Sequence, residues 1–184
     1  MSEVSHERRG PSVPAECGAR FSTCRRYRLA LWRTWGTGPR INWIMLNPST
    51  ADERFNDATI ERCQRRSRRL GFDSMIVTNL FALRSTHPEG LYQATDPVGP
   101  GNIECLAECA GAAGCVVAAW GAHGRLLDQG ARVEHLLIAA GVELLAFRLT
   151  RTGQPGHPLY LPYAAPLRRL AELRGRTPVD RPGR

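Results

Sequence analysis

Residues 41–83 read INWIMLNPSTADERFNDATIERCQRRSRRLGFDSMIVTNLFAL, and their pattern decides the fold. Ile41 to Leu46 is a short apolar run, stopped where Asn47 meets Pro48, because proline has no N–H to give to a sheet ladder. Asp57 carries the short oxygen side chain that caps a helix, which the spacing predicts through about Leu70, with Gly71 closing it. Ile60, Cys63, Ser67 and Leu70 share one face of that helix, and Arg62, Arg65, Arg66 and Arg69 are expected to lie away from it. Ser74 to Leu83 is a second apolar run of strand-forming residues. Strand, helix and strand in succession make a crossover unit whose two strands run parallel.

The pattern repeats on both sides of this unit. Upstream, Tyr27 to Trp35 (YRLALWRTW) alternates polar and apolar residues, as an antiparallel edge strand does. Downstream, Asn102 to Ala112 reads as a helix, Cys115 to Trp120 as a third strand, Gln129 to Ala140 as a helix ended by Gly141, and Val142 to Leu149 as a fourth strand. Alternation of this kind predicts an α/β three-layer sandwich: a four-stranded, mainly parallel sheet with helices on both faces, plus an antiparallel edge strand or hairpin. Residues 1–22 and 174–184 mix Pro, Gly and charge without periodicity and are expected to be loose tails around a single domain over 23–173. No internal repeat is present.

Composition narrows the chemistry. The chain has 184 residues, 42% of them hydrophobic and 23% charged, which suits one ordinary globular domain. No apolar run is long enough to span a bilayer and the first ten residues contain no apolar signal core, so the expectation is a cytoplasmic protein with no membrane partner. All 25 basic residues are arginine, and the formal net charge is +8. A GC-rich codon bias would produce the same substitution of arginine for lysine. Whatever its origin, the absence of lysine excludes a P-loop phosphate lysine, a pyridoxal Schiff base and a lysine-based lyase step. A basic balance favours an anionic partner, although solubility alone would also account for it. Cys63, Cys105, Cys109 and Cys115 fall in periodic segments where free cysteine acts as a small hydrophobe. Cys105 and Cys109 are one helical turn apart, but the paired spacing of a zinc ribbon is missing, so neither a metal nor another cofactor is expected. No obligate protein partner is evident.

In open parallel sheets ligands collect at the carboxyl ends of the strands. Those ends carry Asn47-Pro48-Ser49-Thr50, then Asn79 followed by Arg84-Ser85, then Trp120-Gly121-Ala122-His123, then the loop that reaches His157-Pro158. Each has a structural alternative. Asn47 before proline also suits a turn, and His157 among Gly and Pro also suits an exposed loop. Asn79 lies inside an apolar run, where its amide needs a buried partner that a neighbouring loop or a ligand would supply. His87, His123 and His135 have weaker claims. No dinucleotide fingerprint, P-loop, nucleophile elbow or zinc-protease motif occurs.

The stretches IMLNPSTAD, DATIERC, VTNLFALR, DPVGPGN, VVAAWGAHG and GQPGHPLYLP, in this order from Tyr27 to Pro162, resemble a bacterial family known as domain of unknown function 1643. More distantly, the order and type of motifs are similar to the uracil-DNA glycosylase superfamily. That resemblance matches Asn47-Pro48 to the loop that positions water, Asn79 to the residue that reads a flipped base, and His157-Pro158 to the loop that stabilises the departing base. It departs at Met45, where glycine is usual, and at Leu159 and Tyr160, which replace a small serine. What it implies is a uracil-DNA-glycosylase-like fold and a monofunctional N-glycosylase acting on a damaged or modified base in DNA. Asn47 and His157 would be catalytic, Asn79, Pro48 and Ser49 would bind the base, and Arg84, Ser85 and Thr50 would meet the nucleic-acid backbone, with Arg62, Arg65, Arg66 and Arg69 as further phosphate contacts. The rival expectations are a glycosidase for free nucleosides or nucleotides and a non-catalytic nucleic-acid-binding module.

Overall fold

Alternate side chains of the quoted run turn to opposite faces and are buried on both. In the computed structural model, which describes residues 16–175, Ile41, Trp43 and Met45 of strand β3 (Arg40–Met45) join one core with Met75 and Val77 of β4 (Ser74–Asn79). Ile44 points the other way, into a second core. Between these parallel strands runs α1 (Ala58–Arg69), capped by Asp57 Oδ1, which accepts the Ile60 N–H at 2.9 Å. Ile60 and Cys63 pack under the first core, and the Trp43 indole donates to Ser67 Oγ at 2.9 Å. Burying side chains of this size contributes about 1.5–3 kcal/mol each.

After β4 the chain crosses back through α2 (Glu89–Gln93) and α3 (Asn102–Gly111) to β5 (Cys115–Ala118), which lies on the far side of β3 and parallel to it. A 3₁₀ segment (Ala122–Asp128) and α4 (Gln129–Ala139) lead to β6 (Leu144–Ala146), parallel to β5. The parallel core therefore runs β4-β3-β5-β6. Helix α1 covers one face, and residues of α2, α3 and α4 pack into the other core, so the architecture is the expected α/β sandwich.

The sheet is wider than four strands and a hairpin arm. It has seven strands in the order β1-β2-β4-β3-β5-β6-β7. Strand β2 (Arg28–Thr34) pairs antiparallel with β4 but is not an edge, because β1 (Glu16–Phe21), expected within the loose tail, pairs antiparallel outside it. Six residues interrupted by glycine show no readable period; what makes them a strand is the unpaired backbone of β2 beside them. The rest of that expected tail, residues 1–15, lies outside the described residues, as do 176–184 of the other. A two-residue strand β7 (Arg168–Arg169) closes the opposite edge antiparallel to β6, and α5 (Leu170–Gly175) follows, so a helix takes in the first two residues of the expected C-terminal tail. The ladder is also shorter than the apolar runs: Leu80 to Ala82, Ala119 to Trp120 and Phe147 are buried beyond the strand ends, and Leu83 and Leu149 pair only in isolated bridges with Tyr27 and Pro155.

One helical expectation is overturned. Helical spacing puts Arg66 on the solvent side of α1, yet it is 2% exposed, and its guanidinium donates to the carbonyls of Leu161 and Pro162 at 2.8 Å each. Arg62, half-buried, donates to the same Leu161 carbonyl. Both, together with Arg69, place their guanidinium groups over the Tyr163 ring at 3.9–5.1 Å. A long arginine stem can lie along a packed surface and still bring its head to a carbonyl, so helical periodicity alone misplaces it.

Among the described residues no helix is long and apolar enough to cross a membrane.

Candidate functional site

The β4-β3-β5-β6 order reverses direction between β3 and β5, and at such a reversal the loops leaving the two strands diverge and open a crevice. A cavity of about 520 Å³ lies there. Asn47, Asn79 and His157 all line it, from the ends of β3, β4 and the loop after β6. Ser49 and Ser85 line it too, whereas Pro48 is buried behind the wall, and Thr50 and Arg84 do not face the cavity. His123 lines it but His87 does not.

Hydrogen bonds tie the loops together in pairs. Asn47 Nδ2 donates to the Ser85 carbonyl at 2.7 Å and to the Pro48 carbonyl at 3.0 Å, and the Ser85 N–H returns a bond to the Pro48 carbonyl at 2.9 Å. Both side-chain bonds of Asn47 leave from the nitrogen. The loop after β3 is thereby fixed to the loop after β4, with Asn47 Oδ1 free of those bonds. On the other side the Trp120 indole donates to Gln154 Oε1 at 2.8 Å, and the Gly121 N–H donates to the Pro155 carbonyl at 2.8 Å. Gly121 has φ +75°, and a side chain there would also approach the His157 Cβ at 3.6 Å. That distance is ordinary van der Waals contact, so it is the backbone angle that favours glycine here.

Asn79 is 1% exposed, and neither its Oδ1 nor its Nδ2 has a hydrogen-bond partner. Its backbone is held: Asn102 Nδ2 donates to the Asn79 and Leu80 carbonyls at 3.0 and 3.2 Å. A buried amide lacking both partners costs several kcal/mol unless something else satisfies it. Asn79 is also among the residues that line the cavity.

His157 begins the 3₁₀ turn Pro158–Tyr160, and its Nδ1 accepts the Leu159 N–H at 3.3 Å. With Nδ1 accepting, the proton of the neutral ring sits on Nε2. Burial pushes its pKa down to about 4, outweighing the opposite pull of nearby Asp57, so the ring is neutral around pH 7. The Tyr160 ring lies 5.5 Å from it and is 76% exposed at the rim.

Several wall residues had no role expected of them. Trp120 and Thr150 stand at strand ends to which the sequence points, whereas Arg148 falls inside the expected fourth strand. The sequence marks Asp57 only as a helix cap; it caps α1 and lines the cavity at the same time. Arg28 had no signal at all. It opens β2, which runs antiparallel, so its first residue reaches the same edge at which the parallel strands end. Its side chain is 2% exposed, and its NH1 donates to the Ala51 carbonyl at 2.7 Å.

The cysteines are all free, with Cys63 and Cys105 buried, Cys109 and Cys115 half-buried, and Cys17 and Cys24 exposed. Among the described residues no three His, Cys, Asp or Glu side chains gather as a metal would require.

No curated protein and no solved structure matches the chain. A family model described as "Protein of unknown function (DUF1643)" matches residues 26–159. That span runs from β2 through β6 and takes in Asn47, Asp57, Asn79 and His157. On this match over most of its length, the chain belongs to the DUF1643 family of proteins of unknown function.

Proposed function

We propose that the protein is a monofunctional N-glycosylase that hydrolyses the base–sugar bond of a damaged or modified base in DNA, on a fold of the uracil-DNA-glycosylase kind. The observation that carries this reading is the buried Asn79 amide, unpartnered at both polar atoms, in one cavity with a neutral histidine. An amide with one acceptor and two donors reads the polar edge of a heterocycle. A base reaches such a cavity only when swung out of its stack. The parallel order with its crevice between β3 and β5 supports the fold assignment, and the net charge of +8 supports a polyanionic partner.

The chemistry follows from the wall. As the C1′–N bond breaks, its electron pair goes to the base and positive charge develops on the sugar. His157 Nε2–H donates to the base oxygen that gathers the negative charge, a donor held in place by its own turn. Asn47 Oδ1 accepts from a water molecule and aims it at C1′; an amide orients but does not take a proton. The Asp57 carboxylate on the same wall stabilises the developing sugar cation by its negative charge. Water adds to C1′, and the proton it loses is balanced by the one the free base takes up. Without lysine no Schiff base forms, so the reaction stops at the abasic site.

The test is a panel of oligonucleotides, single- and double-stranded, each carrying one altered base and scored for abasic sites. Excision of at least one base, lost in His157→Ala, is the expected result. Turnover of free nucleosides with none on oligonucleotides would move the activity to a nucleosidase. No turnover on either would leave a binding module and end the glycosylase reading.

A further inference from the structure

Arg28 is a feature of the cavity that neither the helix caps nor the core accounts for. A guanidinium taken out of water carries a large desolvation cost unless a carboxylate pairs with it. Among the described residues no carboxylate lies within 4 Å of Arg28, and its Nε is buried with no partner. Among the described residues its only side-chain bond goes to the Ala51 carbonyl. Asp57 is near enough to favour the charge, but Arg84 and Arg33 oppose it. Burial lowers the Arg28 pKa only to about 10, so the charge persists at neutral pH. A fixed cation faces the cavity, on the strand that pairs with the one carrying Asn79.

We propose that Arg28 is an anion-stabilising catalytic residue whose unpartnered guanidinium edge takes the heterocycle oxygen on which negative charge collects as the base departs. This rests on the glycosylase reading of the same cavity. It adds a second, permanently charged donor to the neutral donor His157. Two donors on the leaving group make the site suited to bases that are weakly acidic and leave poorly, because a fixed charge in a low-dielectric site acts most strongly where charge develops most. The Asn79 amide, with its own donor and acceptor vacant, fits a neutral heterocycle edge better than a phosphate, which offers no donor.

The test uses full-length protein and free heterocycles, so it does not depend on turnover. Uracil, 5-fluorouracil and 5-nitrouracil form a pyrimidine series of rising N–H acidity; hypoxanthine, xanthine and uric acid form a purine one. Affinities at one neutral pH are measured by calorimetry for the parent, Arg28→Lys and Arg28→Met, with inorganic phosphate as a separate probe. Thermal unfolding first establishes that each variant is folded; Arg28→Lys keeps the charge if Arg28→Met does not fold. In the parent, affinity rises along at least one series. Arg28→Met flattens that rise and loses about ten- to hundredfold for the most acidic member, the range of a hydrogen bond to a charged group. Arg28→Lys retains the slope. A slope unchanged in Arg28→Met, or no binding by either series, overturns the proposal. Phosphate binding that depends on Arg28 while the heterocycles show no slope also overturns it, making the site one for phosphate. Acidity-dependent binding together with failure of the whole oligonucleotide panel would leave the anion site standing and end the glycosylase reading alone.

Discussion

At the scale of single residues, the cavity separates side chains by what they have left to offer. His157 uses Nδ1 on its own turn and keeps Nε2–H, Asn47 uses Nδ2 on the neighbouring loop and keeps Oδ1, and Asn79 keeps both. His157→Ala is expected to slow single-turnover excision by about a hundredfold or more, the usual cost of removing one preorganised donor. Asn47→Ala should slow the same step through loss of water orientation. Asn79→Ala should instead alter which base is accepted, because an unpaired reading group loses discrimination. Parent rates in both His157→Ala and Asn47→Ala, with folding verified, would put the chemistry elsewhere. The histidine also makes a pH prediction. An unfolded histidine titrates near 6.5, whereas the folded ring is held down to about 4. Between these values the unfolded chain binds a proton that the folded chain refuses. The stability His157 contributes is therefore fully present above about pH 6.5 and is lost as pH falls toward 4. The His157 ring signal followed by NMR should not titrate near 6.5, and urea unfolding between pH 7 and 5 should weaken the parent more than His157→Ala.

At the scale of elements, loops are fixed by partners distant in sequence. The loop carrying His157 is gripped by α1, where Arg62 and Arg66 donate to the Leu161 carbonyl and three arginines stack on Tyr163. Arg66→Met should destabilise the protein by about 2 kcal/mol, the scale of a lost hydrogen bond from a charged donor, with the stranded carbonyls adding to it. A lower urea midpoint at unchanged slope would report this as stability. The same variant should slow excision, since a histidine displaced by an ångström costs heavily. A stable protein with a parent-like midpoint would show that the clamp contributes nothing. The arginine stripe of α1 was legible as a helical pattern, but its role was not. Helical spacing identifies which residues share a face; whether a face meets water or a returning loop depends on residues about a hundred positions later.

At the scale of the whole molecule, the proposed action on DNA predicts binding that weakens steeply with salt, because a chain of net charge +8 would meet phosphates through arginine. The logarithm of affinity should fall linearly with the logarithm of salt concentration, with a slope of roughly 0.9 per phosphate contacted. Arg84, half-buried with its Nε unpartnered, should lower that slope by about one when changed to alanine. Arg66→Met should leave it unchanged, because Arg66 is occupied by protein carbonyls. Salt-independent binding would argue for a small neutral ligand.

By itself the sequence determined the alternation of strands and helices, the parallel core, and the four strand ends where polar residues collect. These follow from local chemistry: apolar runs, proline and glycine stops, an aspartate cap, and a period of two or 3.6 residues. Asn47, Asn79 and His157 were legible because each sits at such an end. Only the tertiary structure decided that β1 shields β2, that Arg66 is buried, and that Asp57 and Arg28 stand in the cavity wall. Strand β1 depends on an unpaired neighbour, Arg66 on two carbonyls across the chain, and Arg28 on an antiparallel strand that enters the sheet where the parallel strands leave it. None of these leaves a periodic mark, because the partner that defines each one is remote in the chain and close only after folding.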